Sequence, residues 1–338
     1  MPKARTNISD VAEMANVSIS TVSRVLNGTA PVASETVIRV LDAVSRLDYR
    51  PSQAARILAG QKTRTIGLAL PEISGSFFLP MLKGIESGVR EHGYDLLVHA
   101  SSLHTDYTSR RHTLGEHNTD GLLVFTDSLD EGELARLHHN DFPLVLLHRS
   151  TPTGLNIPCV TFENKEGTRK MIEHLILGHG LKRIAFLAGP DGNEDAHWRE
   201  VGYREALAAN QVPFDPSLIG FGGFSGEEAG KTVAGWIAAG RLPEAIFAGD
   251  DDSAVGVINT LNLSGLQVPR DIPVVGFDDV PFSRYLTPAL TTVRAPIEQA
   301  GRVAARQLIR QIVGDPVESL VLLPTDLIIR RSCGCEHL

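Results

Sequence analysis

Between residues 18 and 27 the chain carries Ser18, Ser20, Thr21, Ser23, Arg24 and Asn27. Short hydroxyl and amide groups at a helix start suit phosphate oxygens, because the backbone N–H groups and the dipole there already favour an anion. Arg24 is long enough to fork onto guanine O6 and N7. With Ile19 beside them, the implied chemistry is recognition of duplex DNA through the major groove. Ile19, Ser20 and Arg24 are the base readers; Ser18, Thr21, Ser23 and Asn27 hold the backbone. The bland alternative is a solvated helix face, and the charge distribution argues against it. Residues 1–64 hold nine Lys/Arg and five Asp/Glu, a net +4, whereas the remainder holds 23 basic and 35 acidic residues, a net −12. A basic head on an acidic body is the electrostatic footprint of a DNA-binding head.

The elements needed to position these groups can be read around them. Val11, Ala12 and Ala15 form an apolar stripe, with Asn7 as N-cap and Asp10 answering it three residues later. Ala15-Asn16-Val17 is the turn. Ser18 caps the next helix, whose Val22, Val25 and Leu26 share a face, and Asn27-Gly28 stops it. A third helix is predicted over about Ser34 to Leu47, with Val37, Val40, Leu41, Val44 and Leu47 apolar. Pro51 to Gly60 reads as a short helix with too little apolar surface to fold alone.

A second group of candidates lies in the body. Short apolar runs such as Ile66–Leu70, Leu122–Phe125, Ile184–Leu187, Ile246–Ala248 and Val274–Phe277 alternate with helical patterns. They predict α/β architecture with parallel sheets covered on both faces, ligands binding beyond the carboxyl ends of the strands. Asp250 and Asp278 end two such strands, and Arg199 follows a third. One guanidinium and two carboxylates converging on a crevice suit a polyhydroxylated ligand, with Phe77, Phe78 and Phe224 covering its C–H faces. Phe125 and His148 are further candidates. The alternatives are a buried Arg199–Asp278 ion pair and ordinary core for the rings. Asp250-Asp251-Asp252 invites a Mg²⁺ reading, but Asp251 and Asp252 fit better as helix-opening charges.

Other chemistries are not supported. There is no G-x-G-x-x-G, P-loop or G-x-S-x-G motif, so neither an enzyme nor a cofactor is expected. Three cysteines make no disulfide framework. The Cys333/Cys335 pair reads as reduced and incidental, without nearby His or Cys pairs to complete a metal site. No apolar run is long enough to span a membrane, and the N-terminus lacks an apolar signal core, so a cytoplasmic location is expected.

Asp10 to Gly28, followed by Leu47-Asp48-Tyr49-Arg50-Pro51 and Leu58-Ala59-Gly60, resembles the LacI/GalR family of bacterial transcription regulators. The resemblance extends through Glu173-His174-Leu175, Gly178-His179, Val275 to Asp279 and Leu290 to Arg294. It implies an all-α helix-turn-helix head at 1–50 and a hinge helix and linker at 51–64. A body of two Rossmann-like lobes, of periplasmic-binding-protein type, follows at 65–331, with a tail at 332–338. Lobe one would be about 65–162 and 292–323, lobe two about 163–291 and 324–331. Leu58 would wedge into the minor groove. The resemblance further implies a repressor on pseudo-palindromic operator DNA, controlled by a small-molecule effector, a sugar or sugar derivative, bound between the lobes. The alternative is a corepressor-dependent repressor or an activator responding to a nucleobase or nucleoside. A homodimer is expected, since no leucine heptads follow Arg331. Gly75-Ser76 stands where simple-hexose binders of the family often carry Asn-Pro, and His148 where a carboxylate is common. Both argue against a plain glucose- or galactose-type effector.

Overall fold

The computed structural model describes residues 6–28, 30–49, 62–101, 114–126 and 128–335. Its contacts divide the chain into Met1–Thr63 and Arg64–Leu338. The expected hinge helix, with Leu58, lies outside the described residues.

In the first unit, α1 (Ile8–Ala15), α2 (Ile19–Asn27) and α3 (Ser34–Arg46) close on a small core of Val11, Ala12, Ala15, Val22, Val40, Ala43 and Tyr49. Asn7 and Asp10 form the reciprocal capping box. The turn between α1 and α2 runs through Asn16 at φ 51°, a left-handed conformation that Asn tolerates better than most residues. Two features of α3 do not follow from its sequence pattern. Its N-cap is Ala33, with no side-chain cap bond, and Ser34 is already helical. Leu41 is half exposed rather than buried, because Ala43 occupies the inward position beside Val40.

In the second unit, lobe one is built on β1 (Thr65–Leu70), β2 (Asp95–Ala100), β3 (Gly121–Phe125), β4 (Leu144–Leu147), β5 (Cys159–Phe162) and β11 (Leu320–Leu323). Among the described residues these form one parallel sheet in the order β11-β5-β4-β3-β1-β2. Lobe two is built on β6 (Ile184–Ala188), β7 (Ile219–Phe221), β8 (Ala245–Ala248), β9 (Val274–Asp278), β10 (Thr291–Arg294) and β12 (Asp326–Ile328), in the order β12-β10-β9-β8-β6-β7. Only β12 runs antiparallel to its neighbour. The central strands are buried along their whole length, as strands covered on both faces must be. In lobe one, α4 (Phe78–Arg90) packs against α10 (Ile297–Val313), and α5 (Glu131–His139) precedes β4. In lobe two, α6 (Asn164–Glu173) packs on α7 (Glu194–Ala209), and α8 (Gly226–Ala238) on α9 (Asp251–Leu263).

Among the described residues the chain crosses between lobes three times, and the second crossing falls later than the resemblance implies. Residues 291–294 pair with β9 and β12, so lobe two keeps this strand and the chain leaves it after Arg294. The boundary that the resemblance implies, near 291, therefore falls a few residues early. The supposed tail is also corrected. Ser332 and Cys333 are fully buried in lobe two, where Val274 N–H donates to Ser332 O and Ser332 Oγ donates to Val274 O.

Candidate DNA-reading face and interlobe cleft

Ser18 accepts the N–H of Thr21 and caps α2, and its hydroxyl lies within hydrogen-bonding reach of those of Ser20 and Thr21. Asn27 Nδ2 donates to Ser23 Oγ. With Val22 inward, Ser18, Ile19, Ser20, Arg24 and Asn27 are exposed, while Thr21 and Ser23 are partly covered. Ile19 is 49% exposed, an apolar side chain in water at the helix start. The α2 N-terminus thus presents hydroxyls and the outer face presents a guanidinium, as groove recognition requires.

The second site is a cavity of about 230 Å³ between the lobes of the body. Lobe one supplies Phe77, Phe78 and Phe125, with Glu72 and Ser74; lobe two supplies Asn193, Asp195, Arg199, Phe224, Asp250 and Asp278. The three lobe-one rings meet edge to face, with centroids 5.4–5.9 Å apart, and form an apolar wall. Phe224 reaches the cavity from a turn in which both Gly223 (φ 60°) and Phe224 itself (φ 54°) are left-handed. Its ring lies where a side chain at Gly189 would be, 2.4 Å from the missing Cβ, so any larger residue there would push it aside.

Arg199 is 2% exposed and forms the polar centre. Its Nε donates to Asn164 Oδ1 at 2.9 Å, Nη1 to Gly249 O at 2.5 Å and Nη2 to Asp278 Oδ1 at 3.3 Å. The guanidinium lies 3.8 Å from the Phe277 ring centroid and 5.3 Å from that of Phe224. Three of its five donors are committed within lobe two, leaving two for a ligand. Asp278 sits at φ 114° and Asp279 at φ 54°, a strained pair of the kind found at binding sites. Asp279, gripped by Arg294 at 2.7 Å and Arg330 at 2.6 Å, holds that turn in place. Burial pushes the Asp278 carboxyl well above its ordinary range against the pull of Arg199, and pushes Asp250 up to about 6. Arg199 and Asp278 are therefore both an ion pair and cavity lining.

Three acids in the first turns of helices cross the cleft. Asp252, in the first turn of α9, accepts from Ser76 N at 3.1 Å and Ser76 Oγ at 3.0 Å. Glu194, in the first turn of α7, accepts from Ser150 N and Ser150 Oγ. Asp195 pairs with His148 Nδ1 at 3.0 Å. Burial alone would raise Asp195, yet His148, Arg199 and Asn164 hold it below the ordinary carboxylate range. His148 consequently does not line this cavity. It is buried among Phe77, Phe125 and Phe162, and faces a second, more open cavity of about 450 Å³ that includes Ser150, Glu194 and Trp198. Asp251 opens α9, as the sequence suggests, and is fully buried. It accepts from Ser283 Oγ, Thr292 Oγ1 and Val280 N, ties α9 to β10, and is pushed by burial up to about 7. Three protein donors occupy it, so it is no free cation ligand.

The Cys333/Cys335 expectation also changes. Both thiols come together with His174 and His179, the ligand atoms of all four lying within 4.8 Å of one another. No helix among the described residues is long and apolar enough to cross a membrane.

Residues 7–52 match the family described as bacterial regulatory proteins, lacI family, and residues 172–333 match the periplasmic binding protein-like domain. The ribose operon repressor of Halalkalibacterium halodurans is 34% identical over 97% of both chains. Catabolite control protein A of Priestia megaterium is 33% identical over 96% of this chain and 98% of its own. The solved lac repressor dimer, bound to operator and the anti-inducer ONPF, superposes with a TM-score of 0.82 at 28% identity, covering 98% of this chain and 99% of that one. A helix-turn-helix with an exposed polar recognition face, joined to two Rossmann-like lobes around a polar cleft, is the shared plan, and the chain belongs to the LacI family of DNA-binding transcriptional regulators, which are not enzymes.

Proposed function

We propose that this chain is a cytoplasmic, homodimeric transcriptional repressor whose affinity for a pseudo-palindromic operator is set by a neutral polyhydroxylated effector, a sugar or polyol, held between the lobes. The observation that carries the effector class is the cavity itself. Among the described residues, Glu72, Asp195, Asp250, Asp252 and Asp278 line it beside a single base, Arg199. That balance disfavours phosphorylated or acidic sugars, whose negative charge would meet carboxylates on several sides. The free N–H groups of Arg199 and the carboxyl oxygens of Asp250 and Asp278 match vicinal hydroxyls, and the Phe77, Phe78, Phe125 and Phe224 rings match the ring's C–H faces. The volume falls below the ~300–1,000 Å³ of sites for larger ligands, which suits a single sugar ring. The relative named as a ribose operon repressor supports the same reading.

The test pairs thermal shift of the full chain with operator binding by fluorescence anisotropy, across neutral sugars, polyols, sugar acids, sugar phosphates and nucleobases. A neutral sugar or polyol should raise the melting temperature and change operator affinity. A response confined to nucleobases or to anionic sugars would overturn the effector assignment.

A further inference from the structure

The densest cluster of metal-ligating side chains lies outside the cleft, in lobe two. His174 Nε2 and His179 Nε2 are 3.3 Å apart, and Cys335 Sγ lies 3.4 Å from His179 Nε2 and 3.8 Å from His174 Nε2. Cys333, fully buried, completes the four. We propose that these residues form a tetrahedral Cys₂His₂ site for a zinc-type divalent ion.

The distances carry the argument. With zinc–nitrogen bonds near 2.05 Å and zinc–sulfur bonds near 2.3 Å, a tetrahedron has edges of about 3.3 Å between two nitrogens and about 3.6 Å between nitrogen and sulfur. The observed 3.3, 3.4 and 3.8 Å edges match this figure. A plain side-chain contact explains the arrangement poorly. One N–H can bridge two imidazole nitrogens, but it gives no reason for a thiol to approach both of the same nitrogens. Two thiolates and two imidazoles in a tetrahedral set select zinc over the hard cations magnesium and calcium, which want oxygen.

Two local backbone features, with no role in the cleft, bring the ligands together. His174–Gly178 is a π-helical turn at the end of α6. In an α-helix, residues five apart point well away from each other, whereas a π turn, with its i to i+5 bonding, sets them on one side. His174 and His179 are so spaced. Between the cysteines, Gly334 sits at φ 98°, a left-handed conformation that reverses the chain, and the space beside it is bounded by the His179 ring. Thr291 Oγ1 donates to Cys333 Sγ at 3.2 Å, an outer contact that orients the sulfur and favours its thiolate. The ion would join the end of α6 to residues 333–335, beside β10, and so pin the segment that follows β12 onto lobe two.

The test uses the full chain purified under reducing conditions. Elemental analysis should find one zinc per chain, and chelator-treated protein given Co²⁺ should show thiolate-to-cobalt charge transfer with the strong d–d bands of a tetrahedral ion. Removing even an outer-shell partner costs about 10–100-fold in metal affinity, so loss of a ligand should cost at least that. Cys335→Ser, at the more accessible thiol, and His179→Gln should each weaken zinc at least about tenfold against a chromophoric chelator. Cys159→Ser should leave zinc affinity unchanged. Reduced protein with free thiols, no stoichiometric metal and no thiolate–cobalt band would overturn the proposal. A Cys333–Cys335 disulfide in zinc-supplemented protein would overturn it equally.

Discussion

Arg199 divides five donors between framework and cavity, and this division sets what its replacements should do. Arg199→Ala leaves Asp278 buried without its cation, a loss of about 3–5 kcal/mol in stability. Arg199→Lys keeps the charge but cannot reach Asn164, Gly249 and Asp278 in one fork. It should fold, yet bind effector more than about tenfold weaker, since a charged hydrogen bond contributes about 1.5–3 kcal/mol. Urea unfolding beside calorimetric titration separates the two losses; a lysine variant with full effector affinity would remove Arg199 from the ligand. On the head, Arg24→Ala should cost about 1–3 kcal/mol and relax base preference at one position per half-site. Selection from randomised operators reads this directly, and undiminished discrimination would show that Arg24 reads no base. Asp250 and Asp251 titrate near 6 and 7 in the fold, above the ordinary 3.8. Their neutral forms therefore stabilise the fold fully below about pH 4, and that contribution is lost as pH rises through about 6 to 7. Unfolding midpoints measured from about pH 5 to pH 8 should fall by less in Asp251→Asn than in the parent, whatever the variant's stability at a single pH.

At the scale of elements, helix starts do more than cap. The first turns of α7 and α9 place Glu194, Asp195 and Asp252 across the cleft onto Ser150, His148 and Ser76. The Ser76 N–H and hydroxyl are the groups Asp252 engages. Ser76→Ala removes only the hydroxyl, so effector affinity should weaken about two- to tenfold, the worth of one net hydrogen bond. Titration calorimetry checks this, and unchanged affinity would mean that the latch plays no part in lobe closure. The helices and strands themselves were legible because periodicity and caps are local. Asn7, Asp10 and Ser18 announce their helix ends, and the buried strands announce themselves as short apolar runs. The latch was not legible, since an acid in a first turn looks the same whether it meets solvent or another lobe. The metal ligands were hidden by distance, since Cys335 and His179 lie 156 residues apart, and by the π turn that aligns the histidines, which has no local sequence signal. The candidate cavity was legible in its strand-end acids and Phe residues, while His148 was misplaced because its partner, Asp195, went unremarked.

For the molecule as a whole, one buried chain of contacts joins the lobes. His148 pairs with Asp195, Asp195 accepts from Asn164, Asn164 accepts from Arg199, and Arg199 donates to Asp278. Asn164 stands just past the first crossing strand, so Arg199 is bonded directly to the segment that links the lobes. Coupling of effector to operator then requires only that the two lobe arrangements differ in affinity for each.

The edge strands carry a further consequence, for synthesis. Sheet one is closed by β11 and sheet two by β12, and both come from residues 320–328. The head, by contrast, takes its three helices from one contiguous stretch and can fold soon after it leaves the ribosome. Neither lobe can complete its sheet until residues 320–328 have been made. A nascent chain stalled before Leu320 therefore exposes strand edges β5 and β10 together while already bearing a finished DNA-binding head. Chains truncated at residue 319 should accumulate as aggregates whose body is protease-sensitive and whose head fragment survives digestion. A soluble, effector-responsive 319-residue product would show that the last two strands are dispensable.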